Sequence, residues 1–176
     1  MLAQEEARRM GHNFVGTEQL LLGVIGQRHG IGGKALEKVG VTVRKARREI
    51  QLYIGRGTGF VSSEIPFTPR AKRTLEMALS QGKDLNQNFV GTEHILLALI
   101  NEKDGVALRT LRKMRVDLEQ LRNLIYKYIE KMQEDILRPL TKSEKYILRR
   151  EKNNNQGNSK TPTLDEFSES ISKDAL

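Results

Sequence analysis

The sequence predicts an all-α fold in which two tandem four-helix repeats pack as one eight-helix domain with a pseudo-two-fold relation. The hexapeptide Asn-Phe-Val-Gly-Thr-Glu occurs at residues 13–18 and again at residues 88–93, an offset of 75 (88 − 13 = 75). At the same offset and without a gap, eleven further positions are identical, from Leu21 and Leu96 to Ile54 and Ile129. Apolar residues within each copy recur at helical spacing. Together these observations indicate a duplicated helical module.

Each repeat opens with a helix. In the second repeat, Thr68 is the predicted N-cap and Pro69 the first helical residue. Its expected inner face consists of Ala71, Leu75, Ala78 and Leu79. Gly11 and the equivalent Asn86 should end the two opening helices, because these residue types best tolerate a left-handed conformation. The equivalent of Thr68 would be position −7 (68 − 75), so we expect the first opening helix to be truncated and to pack imperfectly.

The helix after each hexapeptide is apolar on almost all sides. A helix without a polar face is normally buried. We therefore expect these two helices to be the central, most buried elements of the domain. Their apolar residues are Leu20, Leu21, Leu22, Val24 and Ile25 in the first repeat and residues 95–100 in the second.

A short third helix and an amphipathic fourth helix complete each repeat. Gly30 and Gly105 separate the central helix from the third one. The third helices have Ile31, Ala35, Leu36 and Val39, or Val106, Leu108, Leu111 and Met114, as their apolar residues. The fourth helices have one apolar stripe, which we expect to face the core. That stripe is Val43, Ala46, Ile50, Tyr53 and Ile54, or Leu118, Leu121, Ile125, Tyr128 and Ile129.

These elements divide the chain into a first repeat at 1–56, a connector at 57–67, a second repeat at 68–138 and a tail at 139–176. The connector is glycine-rich and then extended, and we expect Phe60 and Phe67 to anchor it. The tail is rich in lysine, arginine and asparagine and has few apolar side chains. This composition predicts a flexible linker, because it cannot offset the entropy of ordering.

Composition limits the classes of protein and partner. The chain has 176 residues and 38% apolar content, enough for one domain plus a tail. It has no cysteine, which excludes disulfides and thiolate sites and is typical of a reducing compartment. No apolar run is long enough to span a membrane, and the acidic N-terminus resembles neither a signal nor a transit peptide. We expect no membrane partner.

The formal net charge of +8 leaves two interpretations of the basic clusters at 44–48, 70–73 and 109–115. One is a nucleic-acid-binding surface, which would make the chain a basic helical nucleic-acid-binding protein. The other is the solvated polar faces of amphipathic helices. We favour the second, because glutamates are interspersed among the basic residues and no aromatic residues alternate with them.

No catalytic constellation is evident. The three histidines, His12, His29 and His94, have no metal-ligand spacing and no cysteine partners. There is no Walker A sequence, and the glycines at 55–59 are too few to form a dinucleotide fingerprint. We therefore predict a binding module, not an enzyme, with no metal and no cofactor.

The repeated Gly-Thr-Glu is the most informative polar feature. Thr17 and Thr92 are candidate N-caps, and Glu18 and Glu93 in the first turn favour the positive end of the helix dipole. Capping alone would explain these residues. The alternative is that free backbone N–H groups bind an anion while the adjacent carboxylate binds a guanidinium. Both interpretations stay open at this stage.

Four segments resemble the N-terminal repeat domain of the Clp/Hsp100 unfoldases, specifically the ClpC type. They are Met1-Leu-Ala-Gln-Glu-Glu-Ala-Arg-Arg, Gly11-His-Asn-Phe-Val-Gly-Thr-Glu, Ile65-Pro-Phe-Thr-Pro-Arg-Ala-Lys and Gly91-Thr-Glu-His-Ile-Leu-Leu. The resemblance spans residues 1 to about 135. A further segment at 161–167 is similar to the entry into the first ATPase domain of that family.

The resemblance implies a mobile docking domain of a hexameric unfoldase that feeds a ClpP protease, binding adaptor proteins and substrates without hydrolysing ATP itself. In bacterial ClpC relatives the Gly-Thr-Glu glutamates bind phosphoarginine. By position this implies substrate-binding residues Thr17, Glu18, Thr92 and Glu93. The family also uses an apolar groove near the first helix and the connector. Its positions here are Gln4, Phe67, Lys72 and Glu76.

Departures from the family pattern qualify these implications. The family begins upstream of Met1, and Gln19 stands where the second repeat has His94, so we expect the two sites to be unequal. The ATPase domains are missing from the 176 residues. The chain is then a fragment, a free-standing N-domain or a non-functional remnant. The absence of a transit peptide and the Lys/Asn-rich tail favour a plastid-encoded product in the chloroplast stroma, with a bacterial cytoplasm as the alternative.

Overall fold

The computed structural model describes residues 2–59 and 64–139 and the single residues 141, 145 and 147. The described residues up to Asp135 form one compact unit. The helices are α1 (Leu2–Met10), α2 (Thr17–Gly26), α3 (Ile31–Lys38), α4 (Val43–Ile54), α5 (Pro69–Asp84), α6 (Thr92–Asn101), α7 (Val106–Lys113) and α8 (Leu118–Leu137). Phe60 and most of the predicted tail, including 161–167, lie outside the described residues.

Helices α1–α4 and α5–α8 confirm the predicted fold of two four-helix repeats. The central helices α2 and α6 contact each other, α1 packs on α2, and α5 packs on α6 in the same way. Each third helix contacts the central helix of its own repeat and also that of the other repeat, since α7 contacts α2 and α3 contacts α6. These matching contacts give the domain its pseudo-two-fold relation.

The central helices are the most buried elements, as predicted. All five apolar residues named for α2 are buried, and so are residues 96–100 of α6. One hydrophobic cluster joins them to α3, α4, α7 and α8. Because α2 and α6 form the centre of this cluster, their N-terminal ends are set into the body of the domain and do not project from it.

Several helix ends lie at the residues predicted from the sequence. Gly11 and Asn86 have φ angles of 73° and 55°, which confirms the left-handed ends of α1 and α5. Thr68 Oγ1 accepts a hydrogen bond from the Ala71 amide at 3.1 Å, with Pro69 in the first turn of α5. A second repeat-related pair, Gly40 and Arg115, also has positive φ.

The core prediction was wrong for three apolar side chains. Tyr53 and Ile54 at the end of α4 are 53% and 37% exposed, and Leu79 on α5 is 53% exposed. Helix α4 ends at Ile54, whereas α8 continues to Leu137 and keeps the equivalent Ile129 buried at 2% exposure. On α5 the buried face is made of smaller residues, namely Ala71, Thr74, Ala78 and Gly82.

The connector returns along the first repeat and joins α5 to it. Val15 and Phe67 form an isolated parallel bridge, in which the Val15 amide donates to Pro66 O at 2.8 Å and the Thr68 amide donates to Val15 O at 2.9 Å. Phe67 is half-buried and packs against the core, which confirms its predicted anchoring role. The connector thereby places the start of α5 beside the first hexapeptide.

Membrane and metal sites were not expected. None of the described helices is long and apolar enough to cross a bilayer. In the described part of the chain no group of acidic, histidine or cysteine side chains could hold a metal ion.

Candidate functional site

Each hexapeptide ends where a central helix begins, and the N-cap of that helix is a glycine. Gly16 and Gly91 have extended backbone angles (φ −94°, ψ −175° and φ −95°, ψ 178°) and precede the first helical residues, Thr17 and Thr92. The prediction of Thr17 and Thr92 as N-caps was therefore wrong by one position. The two threonine hydroxyls do not cap their own helices and can therefore form a hydrogen bond elsewhere.

The third helical residue satisfies the backbone N–H of each N-cap. Gly16 N donates to Gln19 Oε1 at 2.7 Å, and Gly91 N donates to His94 Nδ1 at 2.9 Å. Both side chains are completely buried. Gln19 and His94 therefore perform the same capping function although their chemistry differs. The motif had a sequence signal, because a glutamine at the third helical position is typical of a capping box.

The capping bond fixes the state of His94. Because Nδ1 accepts from the Gly91 amide, the proton of the neutral ring lies on Nε2. Burial of the ring lowers its pKa, since the charged form would lose its hydration, and the nearby Glu93 carboxylate opposes this shift to a smaller extent. His94 is thus held neutral at physiological pH.

Each threonine hydroxyl forms a hydrogen bond with a backbone amide of the opposite repeat. Thr17 Oγ1 accepts from the Ala107 amide at 3.3 Å, and Thr92 Oγ1 accepts from the Gly32 amide at 3.0 Å. Ala107 and Gly32 are the second residues of α7 and α3, whose N-cap residues are glycines without a capping side chain. Each threonine therefore satisfies an otherwise unpaired N–H group of the opposite repeat.

Close approach favours glycine at these crossings, most strongly at Gly30. A Cβ atom on Gly105 would lie 3.1 Å from Thr17 Oγ1, and one on Gly30 would lie 2.9 Å from Thr92 Cγ2. The glycines that the sequence marked as helix separators thus also allow the third helices to contact the Gly-Thr-Glu of the other repeat.

The glutamates fold back over the glycine N-caps. Thr17 Oγ1 lies 3.5 Å from Glu18 Oε2, and Thr92 Oγ1 lies 3.4 Å from Glu93 Oε2, which are long, weak hydrogen bonds. A Cβ atom on the preceding glycine would lie 2.7 Å from Glu18 Cδ or 2.6 Å from Glu93 Cδ. The absence of a side chain at the N-cap is therefore what allows each carboxylate to occupy the end of its helix.

Glu18 faces an open depression of about 470 Å³. Its lining is Gly11, His12, Asn13, Phe14, Gly16, Glu18, Ile54, Gly57, Thr58 and Thr68. Glu18 is the only carboxylate among these residues, and no lysine or arginine is present. Phe14 is 60% exposed and Ile54 is 37% exposed, so an apolar surface lies beside the carboxylate. The depression is suited to a cation with an aliphatic stem.

Glu93 occupies the equivalent position but is only 3% exposed. The loop residues Gly57 and Thr58 of the first site correspond to Met132 and Gln133, which belong to helix α8. Ile129 is buried where Ile54 is exposed. The two sites are thus unequal in exposure, and the fourth helix beside them also differs in length.

The four residues assigned to the second groove lie on α1, the connector and α5. Gln4 Nε2 donates to Ile65 O at 3.4 Å, which brings α1 to the segment just before Phe67. Lys72 and Glu76 are exposed one turn apart on α5. The structure thus links Gln4 to the connector and places Lys72 and Glu76 on the same face of one helix.

The fold defines a class of two-repeat all-α domain with a carboxylate at the start of each central helix. A family model for the Clp repeat (R) N-terminal domain matches residues 1–99 and 66–153. The chain belongs to this family, as its hexapeptides and connector indicated.

Two relatives of similar sequence support this assignment. An ATP-dependent Clp protease ATP-binding subunit, ClpA homolog, of Trieres chinensis is 73% identical over 176 residues, which is all of this chain and 19% of that protein. The chaperone protein ClpC, chloroplastic, of Pisum sativum is 43% identical over 173 residues, covering 98% of this chain and 18% of that protein. The chain thus spans about a fifth of these relatives and corresponds to their non-catalytic N-terminal domain, outside their ATPase portion.

Solved structures show the same fold. The N-terminal domain of the chaperone ClpD from Arabidopsis thaliana matches with a TM-score of 0.59 and 25% identity, covering 73% of this chain and 89% of that one. The Hsp104 N-terminal domain from Candida albicans matches with a TM-score of 0.57 and 14% identity, covering 70% and 81%. The second likeness concerns the fold alone.

Proposed function

We propose that this chain is the substrate- and adaptor-docking domain of a Clp protease system, and that Glu18 and Glu93 bind a phosphoarginine-like group on protein substrates. The observation behind this proposal is the pair of repeat-related carboxylates at helix N-termini. In the described part of the chain neither carboxylate forms an ion pair with a lysine or arginine. A carboxylate in such a setting gains most from an external cation.

The guanidinium half of the ligand fits the Glu18 depression. A planar guanidinium forms two parallel hydrogen bonds with a carboxylate, and its aliphatic stem would lie along Phe14 and Ile54. Because no lysine or arginine lines the depression, no permanently charged side chain in its wall competes for the carboxylate.

The anionic half fits the end of α2. Gly16 has no side chain to cap the first amides of the helix, so the N–H groups of Thr17 and Glu18 have no capping side chain. Such amides, together with the positive end of the helix dipole, bind phosphate. The Glu18 carboxylate would repel a free phosphate, because both are anions. A phosphate joined to a guanidinium carries a cation that the carboxylate can bind. This supports a ligand with both groups.

The two sites have different roles in this proposal. The more open Glu18 site binds first, and the buried Glu93 site requires a local opening before a ligand can enter. Thr17 and Thr92 position the glutamates, because their hydroxyls are already engaged with the opposite repeat.

The partners follow from the family. The proposed partners are the ATPase and ClpP components of the Clp system, adaptor proteins and protein substrates, with adaptors at the groove of Gln4, Phe67, Lys72 and Glu76. The proposed location is the plastid stroma, since several relatives are named chloroplastic. No comparison supports the nucleic-acid alternative.

Calorimetric titration with a phosphoarginine peptide tests the proposal. We expect saturable binding that the unmodified peptide lacks, a loss of about tenfold or more in Glu18→Gln, and no binding in the Glu18→Gln/Glu93→Gln double variant. Glu119→Gln is the matched control, because Glu119 is an exposed first-turn glutamate of α8 outside both hexapeptides. Equal binding of both peptides, or undiminished binding by the double variant, would contradict the proposal.

A further inference from the structure

A groove between α4 and α7 lies apart from both hexapeptides. It consists of two adjoining cavities of about 470 and 280 Å³ that share Glu49. We call it the α4–α7 groove and define it by Arg48, Leu52 and Tyr53 on α4 and Arg109 and Lys113 on α7. The larger cavity has the size of an ordinary ligand pocket.

The groove has an exposed apolar surface. Leu52 is 73% exposed and Tyr53 is 53% exposed. With Arg48 and Glu49 they lie on one face of α4, since positions three and four apart are neighbours on a helix. Tyr53, predicted to lie in the core, therefore forms part of a surface with no covering element among the described residues.

The charge of the groove is predominantly positive. Lys45, Arg48, Arg109 and Lys113 line the two cavities, against Glu49 as the single acidic side chain in either lining. Arg109 is held in place by hydrogen bonds to Tyr53 Oη and Asp104, and its guanidinium lies 5.8 Å from the Tyr53 ring centroid.

Comparison of the repeats shows that the groove belongs to one of them. Adding 75 to Arg48 and Leu52 gives Asn123 and Lys127, so the equivalent face of α8 has an amide in place of the arginine and a cation in place of the exposed leucine. The equivalent of Tyr53, Tyr128, is half-buried and packs against the core. The combination of exposed apolar residues with basic ones is therefore specific to the α4–α7 groove.

We propose that the α4–α7 groove docks an acidic amphipathic peptide segment of a protein partner. The apolar side chain of the segment would lie against Leu52 and Tyr53, and its carboxylates would face Arg48, Arg109 and Lys113. Charge complementarity favours a peptide over a nucleic acid, because Glu49 lies in the middle of the groove, where a continuous phosphate backbone would meet it. A peptide can place an uncharged residue there.

Fluorescence anisotropy with a labelled peptide tests this inference. The probe is a peptide of about twelve residues with one leucine and one phenylalanine four positions apart among glutamates. Two further probes replace the glutamates with glutamine or the two apolar residues with serine. A single-stranded RNA of similar length tests the other class of partner.

The expected changes are specific to the groove. Lys113→Glu and Arg48→Glu should each weaken binding about three- to tenfold, and Leu52→Ser should do the same without changing the net charge. Lys38→Glu is the matched control, since Lys38 is the repeat equivalent of Lys113 (38 + 75 = 113) and makes the same change in charge on α3. It should bind the probe as the wild type does.

Three results would overturn the inference. The first is an equal loss of peptide affinity in Lys38→Glu and Lys113→Glu. The second is equal affinity for the serine-substituted and the parent peptide. The third is an RNA that binds more tightly than the acidic peptide and loses its affinity in Lys113→Glu. Circular dichroism of each variant shows whether a loss of binding comes from unfolding.

Discussion

Replacing Thr17 or Thr92 by valine should destabilise the whole domain, because each hydroxyl pairs with a backbone amide of the opposite repeat. Valine has nearly the same shape as threonine but cannot accept a hydrogen bond. At Thr17, which is 2% exposed, the Ala107 amide would lose its partner in a position that water cannot easily reach.

The magnitude follows from the desolvation of that amide. A buried N–H group left without a partner costs about 1–3 kcal/mol, and loss of a helix cap typically costs about 1 kcal/mol. We expect each valine variant to lower the free energy of unfolding by about 1–2 kcal/mol. In a domain of this size, that corresponds to a fall of roughly 3–8 °C in melting temperature.

Urea denaturation followed by far-ultraviolet circular dichroism measures the effect. Thr17→Ser should retain most of the stability, because serine keeps the hydroxyl. Thr42→Val is the matched control. Thr42 caps its own helix α4 through the Lys45 amide, an exposed bond of 3.4 Å, so its loss should cost less. A Thr17→Val variant as stable as the wild type, or a serine variant as unstable as the valine one, would refute the cross-repeat capping.

Three further predictions concern His94, Gly16 and the ion pair between Glu6 and Arg47. Because burial lowers the pKa of His94, this side chain binds a proton more readily in the unfolded chain than in the folded one. The stability of the fold should therefore fall as the pH drops below about 6.5. His94→Gln should flatten this part of a plot of melting temperature against pH. Gly16→Ala should displace the Glu18 carboxylate and abolish phosphoarginine-peptide binding in calorimetry, while the helix content stays unchanged. Glu6→Gln should lower the free energy of unfolding in urea by about 1 kcal/mol, since Glu6 and Arg47 form a half-buried bidentate pair at 2.8 and 2.9 Å.

Each of these predictions has a control in the same chain. Gln19 shows that glutamine can cap the same position, so His94→Gln should retain the fold, and an unchanged pH profile would contradict the assignment of His94. A Cβ atom on Gly26 would lie 3.5 Å from Leu2 Cδ1, an ordinary contact, so Gly26→Ala should bind as the wild type does. Glu5 is exposed on α1, and a Glu5→Gln variant as destabilised as Glu6→Gln would exclude a specific role for the pair.

Much of the fold was predictable, because duplication doubles the signal. Positions such as Gly11 and Asn86 could be assigned as left-handed helix ends only when the two copies were compared, and both have positive φ. Gly40 is also of a type that favours positive φ, but the equivalent Arg115 is not, and its positive φ was not predictable. Thr68 was predictable as an N-cap because its partner, the Ala71 amide, is local.

Features that depend on distant residues were not predictable. Threonine is a residue type typical of N-caps, but the hydrogen-bond partner of Thr17 is Ala107, 90 residues away in the sequence. The apolar stripe of α4 showed that Tyr53 lies on an apolar face, but periodicity cannot tell whether another element covers that face. Likewise, the sequence could not show that Glu18 is half-buried and Glu93 fully buried, since the two glutamates stand in identical hexapeptides.

The most direct test of the docking function is a nitrogen-15 NMR titration of the chain with a phosphoarginine peptide. We predict that the amide signals of Gly16, Thr17 and Glu18 shift first and saturate, and that those of Thr92 and Glu93 follow at higher peptide concentration. Saturable shifts confined to other parts of the domain, or no shifts at all in a well-dispersed spectrum, would contradict the account and leave the glutamates as structural residues of the helix ends.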